Sequence, residues 1–314
     1  MRWSTFIIIA LAIGAVLFGT MRWFGNEYYF FAGYVVLQYV VLATAWNILG
    51  GYAGYVNFGS AAFFAAGAYS TIALYKIVPL PIPVLIVVGG LVSGLIGFAT
   101  GYLTLRLRGV FFAIATLALA VVLQTLIINW DFVGGSRGAY ILRPNEIVIL
   151  GSYIQYLFLM MLLLAIVAVS AARLIERSWL GYGLAAIRDD EFAAEASGVP
   201  TLRMKLIATT VSGAFMGMAG APFPYIISFV DPASTFNLAY AVNAIAMPMI
   251  GGTTTWIGPV IGAILLGVIQ QVATVTISSA VNLLIVGLVL VAFVIIAPNG
   301  IVGLFQSWFG RRVR

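Results

Sequence analysis

The chain contains no cysteine and no histidine. Disulfides, metal ligation by Cys or His, and Cys–His or Ser–His nucleophilic chemistry are therefore excluded. Charge is scarce as well. Only 8% of the 314 residues are Asp, Glu, Lys or Arg, where a soluble domain carries about a quarter. Lysine occurs twice, as Lys76 and Lys205, and neither follows a glycine. A phosphate-binding loop ends in Gly-Lys-Ser/Thr, so the chain has no nucleotide site of that type, and any ATP that drives it is hydrolysed by a separate subunit. The acidic residues Glu27, Asp131, Glu146 and Asp231 stand at the ends of apolar runs rather than inside them. That leaves no obvious proton relay and few groups for an intramembrane enzyme.

What is present is apolar. Hydrophobic residues make up 63% of the chain, and the mean hydropathy is +1.12. No soluble fold hides that much apolar surface, so the solvent is lipid. In lipid the backbone must satisfy its own hydrogen bonds, which leaves helices or closed barrels. Barrel strands alternate at period two. Here the runs are continuous and of about 20 residues, the length of a membrane-crossing helix. The expected fold is an all-α, polytopic helical bundle of about ten spans, with eight to ten the range. The candidate spans are 6–21, 29–49, 57–75, 82–104, 110–129, 147–173, 206–229, 238–251, 259–276 and 281–297. The eighth is short enough for a half-helix. The first run follows Met1-Arg2-Trp3 as a leader would, but no small-residue cleavage site follows, so it reads as a retained span.

The net charge of +6 is a topology signal, not a nucleic-acid signal. With the N-terminus inside, the inside loops hold Arg2, Arg106, Arg108, Arg173, Arg177, Arg188, Arg203, Lys205, Arg311, Arg312 and Arg314. The outside loops hold only Arg22, Lys76, Arg137 and Arg143. Both termini are therefore expected in the cytoplasm of a multi-pass protein. Five spans precede residue 147 and five follow, so any internal repeat would be inverted. The two halves share no convincing sequence identity.

Glycine recurs down one span, as Gly89, Gly90, Gly94, Gly97 and Gly101, and the Gly97–Gly101 pair has the spacing for close helix contact. Pro222 and Pro224 are expected to kink or interrupt the seventh span. Two glycine-rich stretches, 50–57 and 251–255, read as breaks between spans. Neutral polar residues within spans, such as Gln38, Gln155, Gln270 and Gln271, are expected mainly to hydrogen-bond between helices. Asn47, Gly51, Gly54, Asn57, Gln124 and Asn243 are candidates for lining a path for a polar solute.

Ten of the chain's charges fall between residues 173 and 205. Asp189, Asp190 and Glu191 bunch where a helix would begin, which suits its dipole. Glu191 and Glu195 share a face at four-residue spacing. Gly198 and Pro200 form a stop signal. A solvated linker and a docking helix are equally compatible with these features alone.

This segment resembles the "EAA" coupling loop of importer-type ABC permeases, specifically the branched-chain amino acid class (LivM type). The resemblance rests on the Ala186-Ile187-Arg188-Asp189-Asp190-Glu191 run, then Ala193-Ala194-Glu195-Ala196 and Gly198. Residues 50–70, 105–123, 134–138 and 258–263 resemble further blocks of that family, so the likeness extends over roughly 30–300. Tyr182 departs from it where the family often has a basic residue, as do Pro222, Pro224 and Thr253-Thr254-Thr255.

The resemblance implies an importer-type ABC permease fold, one transmembrane domain over 1–314 with a cytoplasmic coupling loop at 174–205. It implies a non-enzymatic subunit that binds no cofactor, with ATP and Mg used by a partner. The implied ATPase-coupling residues are Arg188, Asp189, Asp190, Glu191, Ala194, Glu195, Ala196 and Gly198. The implied partners are a second homologous permease, two cytoplasmic ABC ATPases, an external solute-binding protein and membrane lipid, with no nucleic acid. The implied location is a bacterial or archaeal cytoplasmic membrane. The implied solutes are branched-chain or other hydrophobic amino acids, with urea, short amides or aromatic acids as alternatives within the family. An ion-gradient secondary transporter is the alternative from another class. It would leave 173–205 a passive loop.

Overall fold

A computed structural model describes residues 3–142, 146–147, 151–276, 281–297 and 300–304. Arg2, Arg143, Arg311, Arg312 and Arg314, which contribute to the charge bias, lie outside them. Each of the ten expected spans coincides with a helix. They are α1 (Trp3–Phe24), α2 (Glu27–Ala53), α3 (Ser60–Ile77), α4 (Ile82–Thr104), α5 (Val110–Ile128) and α6 (Tyr153–Glu176), then, after α7 (Trp179–Asp189) and α8 (Glu191–Ala196), α9 (Thr201–Gly220) continued by α10 (Phe223–Ile227). After the short α11 (Pro232–Thr235) come α12 (Leu238–Gly251), α13 (Ile257–Thr276) and α14 (Val281–Ile296). Among the described residues, α1, α2, α4, α5, α6, α9 with α10, and α13 are each long and apolar enough to cross a membrane.

Two long helices form the centre. Early α2 meets late α9, where the Gln38 amide donates to the Ala219 carbonyl at 3.3 Å. Late α2 leads to Tyr55, which meets Lys205 at the start of α9. The two helices therefore run antiparallel. Around them the chain is arranged in two matching groups. Helices α3, α4 and α5 pack together, and α3 and α4 lean on α9. Helices α12, α13 and α14 pack together, and α12 and α13 lean on α2. Each half thus braces the long helix of the other half.

The glycine stripe of α4 is the seam with α9. A methyl group at Gly89 would press on Ala221, one at Gly90 on Met218, one at Gly94 on Ala214 and one at Gly101 on Leu206. Lipid tails are as apolar as leucine, so close backbone approach and its dispersion energy hold such helices together. Ser93 sits in the same seam, with Oγ 2.9 Å from the Phe63 carbonyl and 2.8 Å from the Gly213 carbonyl. That one buried hydroxyl links α4 to both α3 and α9. The α3–α9 crossing is closer still. A Cβ on Gly67 would lie 1.9 Å from the Gly217 carbonyl oxygen.

Three boundaries differ from the sequence expectation. Gly50 and Gly51 do not break the chain, because α2 runs on to Ala53 and ends at Gly54 with φ +75°. Space explains these two glycines: a Cβ on Gly51 would meet the Thr253 carbonyl oxygen at 2.5 Å, and one on Gly50 would press on the Trp46 ring of the same helix. Residues 146–147 and 151–152 form a short antiparallel hairpin, so the sixth span begins at Tyr153 rather than 147. The seventh begins at Thr201, and Pro222 opens α10 just past its first stretch, which is the interruption the two prolines predict.

The C-terminal ends of α5 and α10 are tied by a second two-stranded ribbon, Ala139–Tyr140 against Phe229–Val230. Helix α1 and helix α5 present mostly exposed apolar side chains. The buried residues of α5 are Phe112 and Thr116, both near its start.

Candidate functional site: the charged segment and its ion-pair node

The charged segment folds as two short helices seated on one end of the bundle. Ser178 caps α7, its hydroxyl accepting from the Gly181 N–H at 3.4 Å. Leu180, Leu184 and Ile187 form the buried face of α7. Gly183 lets that face approach Met204 of α9, since a Cβ there would meet its sulfur at 2.1 Å. Trp179 and Tyr182 stand on the opposite, exposed face.

The expectation of one helix starting at Asp189 needs correction. Asp189 closes α7, and Asp190 is extended, with φ −158° and ψ 111°. Its carboxylate then caps α8, accepting from the Phe192 and Ala193 N–H groups at 2.9 and 3.0 Å. Two of the donors left over at a helix start are thereby satisfied. The far end stops as expected. Gly198 takes φ +85°, its N–H donates to the Glu195 carbonyl, and the Val199 N–H reaches back to Ala194. This is a Schellman stop, which suits glycine because a side chain is strained at that φ.

The inner face of α8 carries the densest electrostatics of the described structure. Lys205 is buried, with its side chain only 3% exposed. Its ammonium has three protons and three acceptors. These are Glu191 Oε1 at 2.6 Å, the Tyr55 hydroxyl oxygen at 3.0 Å and the Leu105 carbonyl at 3.2 Å. The Tyr55 hydroxyl donates in turn to Glu191 Oε2. Arg108 adds its Nε 3.5 Å from Glu191 Oε2 and an NH2 3.8 Å from Glu195. Its guanidinium also stacks 3.9 Å from the exposed Phe192 ring. Phe112, in the first turn of α5, packs edge-on against Tyr55 with centroids 5.1 Å apart.

One acidic side chain of α8 therefore binds the start of α9, the α2–α3 loop and the α4–α5 loop together. Burial opposes ionisation of Glu191, but the Lys205 and Tyr55 hydrogen bonds and the Lys205 and Arg108 charges together outweigh it. Its carboxyl is held below the usual range. A buried ion pair is costly unless its geometry and hydrogen bonds are complete, and here every ammonium proton is used.

The sequence candidates divide accordingly. Glu191 and Ala194 face the bundle. Arg188, Asp189, Asp190, Glu195, Ala196 and Gly198 are exposed. Arg188 also reaches back to the Gly51 carbonyl at 3.5 Å, and its Cγ lies where a Cβ on Gly54 would touch it. Sequence reasoning does not single out Phe192, Lys205, Tyr55 or Arg108 as site residues. Lys205 carries a signal, being one of two lysines and standing at the mouth of a span. The partners of Lys205 depend on how helices pack, which periodicity does not report.

The six path candidates do not converge on one place. Asn47 is buried beneath the 252–256 loop, beside Gly51. Asn57 caps the α3 turn by accepting from the Gly59 N–H at 2.7 Å. It also lines a small cavity with Thr100, Thr104, Thr116 and Thr209. Asn243 accepts from Gln270 at 2.8 Å and donates to the Tyr39 hydroxyl at 3.4 Å, joining α12, α13 and α2. Gln124 stands half-exposed on α5.

Comparison with known proteins decides the family. Residues 28–294 match the model of the "branched-chain amino acid transport system / permease component" family. This chain belongs to that family. The match runs from the start of α2 into α14 and includes every residue of the node. Similar proteins include the high-affinity branched-chain amino acid transport system permease protein LivM of Salmonella typhimurium and its counterpart of Escherichia coli. Each is 29% identical over 262 residues, covering 76% of this chain and 61% of the relative. A probable branched-chain amino acid transport permease protein LivH of Methanocaldococcus jannaschii is 25% identical over 264 residues, covering 79% of this chain and 82% of the relative. The chain spans about three fifths of the length of the LivM relatives it matches. No solved structure matches the chain. The family and the apolar helices together make this permease a polytopic helical membrane protein.

Proposed function

We propose that this permease is the membrane-spanning subunit of an ATP-driven importer of branched-chain or other hydrophobic amino acids. The observation that carries the proposal is the form of the charged segment. It is an ordered helix pair, anchored to the bundle on one side and presenting Phe192, Glu195 and Ala196 outward on the other. A passive loop needs neither a capped, Schellman-stopped helix nor a saturated ion pair beneath it. The 178–198 segment is then the docking element for a separate ATPase, which supplies the nucleotide site this chain lacks. Arg188, Asp189, Asp190 and Glu195 offer it charged contacts, and Ala193 and Ala196 let it approach closely.

The rest of the assembly follows from the same reading. The charged segment and both termini lie in the cytoplasm, in accord with the arginine bias. The mostly exposed apolar faces of α1 and α5 meet lipid or a second homologous permease. An external binding protein delivers the solute to the opposite end, and two ATPases close on ATP beneath. The named substrates of the relatives support a branched-chain amino acid as the solute.

Co-purification tests this directly. Tagged permease extracted in mild detergent should recover ATPase subunits, and liposomes holding the complex should take up leucine only when ATP is present. Uptake driven by a sodium or pH gradient without ATP would overturn the proposal.

A further inference from the structure

The node beneath α8 suggests a division of labour within the coupling helix that rests on the permease reading above. We propose that Lys205 is a positioning residue. It clamps the coupling helix, through Glu191, to the α2–α3 and α4–α5 loops, so that helix and bundle move as one body. Arg108 acts as an outer clip on the same helix.

The geometry separates the two roles. Lys205 is buried, and its three donors go to α8, to Tyr55 and to Leu105, the first residue past α4. A push on α8 therefore reaches two loops and the foot of α9 through hydrogen bonds of 2.6 to 3.2 Å. Tyr55 extends the contact to α5, because its ring packs on Phe112. Arg108 is 40% exposed; its Nε stands 3.5 Å from Glu191 Oε2, a longer contact than the 2.6 Å Lys205 bond, and the rest of its guanidinium grips Glu195 and Phe192 from the solvent side. Solvent-exposed pairs are screened by salt and buried ones much less. The clip should therefore loosen in high salt while the clamp holds.

A residue that merely stabilises the fold predicts a different outcome from one that transmits movement, and a paired variant tells them apart. Lys205→Met alone leaves the Glu191 charge with only the Tyr55 hydroxyl and the more distant Arg108, and should lower stability. Lys205→Met with Glu191→Gln removes that under-compensated charge, so stability should return toward wild type. The clamp should not return. A spin label on Ala196→Cys should report α8 as ordered in the wild-type permease and mobile in the double variant. In proteoliposomes holding the full complex, with leucine as the transported probe, solute moved per ATP should fall about tenfold, within the range typical of coupling between sites. Arg108→Gln should give a milder loosening of the label that 1 M salt reproduces in wild type.

A double variant that is stable, keeps α8 ordered and transports leucine with wild-type stoichiometry would overturn the proposal. The spin-label result stands whatever the complex transports. A wild-type complex without ATP-dependent uptake would count against the importer reading, and an ordered α8 in the double variant against the clamp.

Discussion

The α3–α9 crossing offers the sharpest test of how this bundle is held together. Replacing Gly67 with alanine adds one methyl group, and its carbon would stand 1.9 Å from the Gly217 carbonyl oxygen. The atoms it would meet are all backbone of Gly217, so none can rotate away. Restoring ordinary contact requires the helices to part by about 1.5 Å. Ser93 loses its grip in the process, since its contacts to Phe63 and Gly213 start at 2.9 and 2.8 Å. Overpacking of this kind costs about 1–3 kcal/mol, and each interhelical hydrogen bond lost in a membrane about 0.6 kcal/mol. Set against the gain of about 0.5–1 kcal/mol that alanine has over glycine in a helix, Gly67→Ala should still destabilise the permease by about 1–3 kcal/mol. The same substitution at Gly19, on α1, meets nothing within 4 Å. There alanine should be neutral or stabilising by about 0.5–1 kcal/mol, because glycine within a helix carries that entropic cost. Unfolding of the two variants and wild type in one detergent gives the comparison. Equal stabilities for Gly67→Ala and Gly19→Ala, within about 0.5 kcal/mol, would refute the close-crossing account.

Four further outcomes are expected. Glu176→Ala frees the Trp256 N–H, now 2.5 Å from its carboxylate at the start of α13, and should cost about 1–2 kcal/mol by thermal unfolding, as loss of a helix cap does. Gly198→Ala forces a side chain to φ +85° and should cost about 1–2 kcal/mol, while Gly198→Asn should be milder; circular dichroism melts compare them. Phe192→Ala should lower the melting temperature only slightly, because the residue is 71% exposed and gives up little beyond its stacking on Arg108, yet reduce recovery of ATPase in pull-downs. The last concerns pH. The Glu191 carboxyl is held below its ordinary value in the fold, so its contribution to stability is present above the unfolded pKa of about 4.3 and is lost as pH falls through the folded value. The stability gap between wild type and Glu191→Gln should stay flat above about pH 5 and close in stronger acid.

Local chemistry makes much of the architecture legible in the sequence. The ten helices announce themselves by continuous apolar length, and the α4 seam by glycines at the spacing of one helix face. Gly198 as a stop follows from its place between a run of helix formers and Pro200. Elsewhere one residue type serves two purposes. Gly50 and Gly51 look like a break, but Gly51 is small so that α2 can pass the 252–256 loop and Gly50 so that the Trp46 ring can lie against the helix. Asp189, Asp190 and Glu191 look like one acidic helix start, yet they split between a helix end, a cap and a buried ion pair. The node is hidden for a further reason. Glu191 finds Lys205 fourteen residues away, Tyr55 at 136 and Arg108 on another loop, and only the packing of α2, α4 and α9 brings those together.

The claim at the centre is that α8 is the face on which an ATPase sits. The cysteine-free chain makes the measurement clean, since one introduced thiol is the only one present. Maleimide labelling of Phe192→Cys should be fast in the isolated permease and strongly slowed once ATPase subunits are bound. Lys76→Cys, at the opposite end of the bundle, should label at the same rate in both. Phe192→Cys labelling at an unchanged rate in an assembled, ATP-hydrolysing complex would contradict the account.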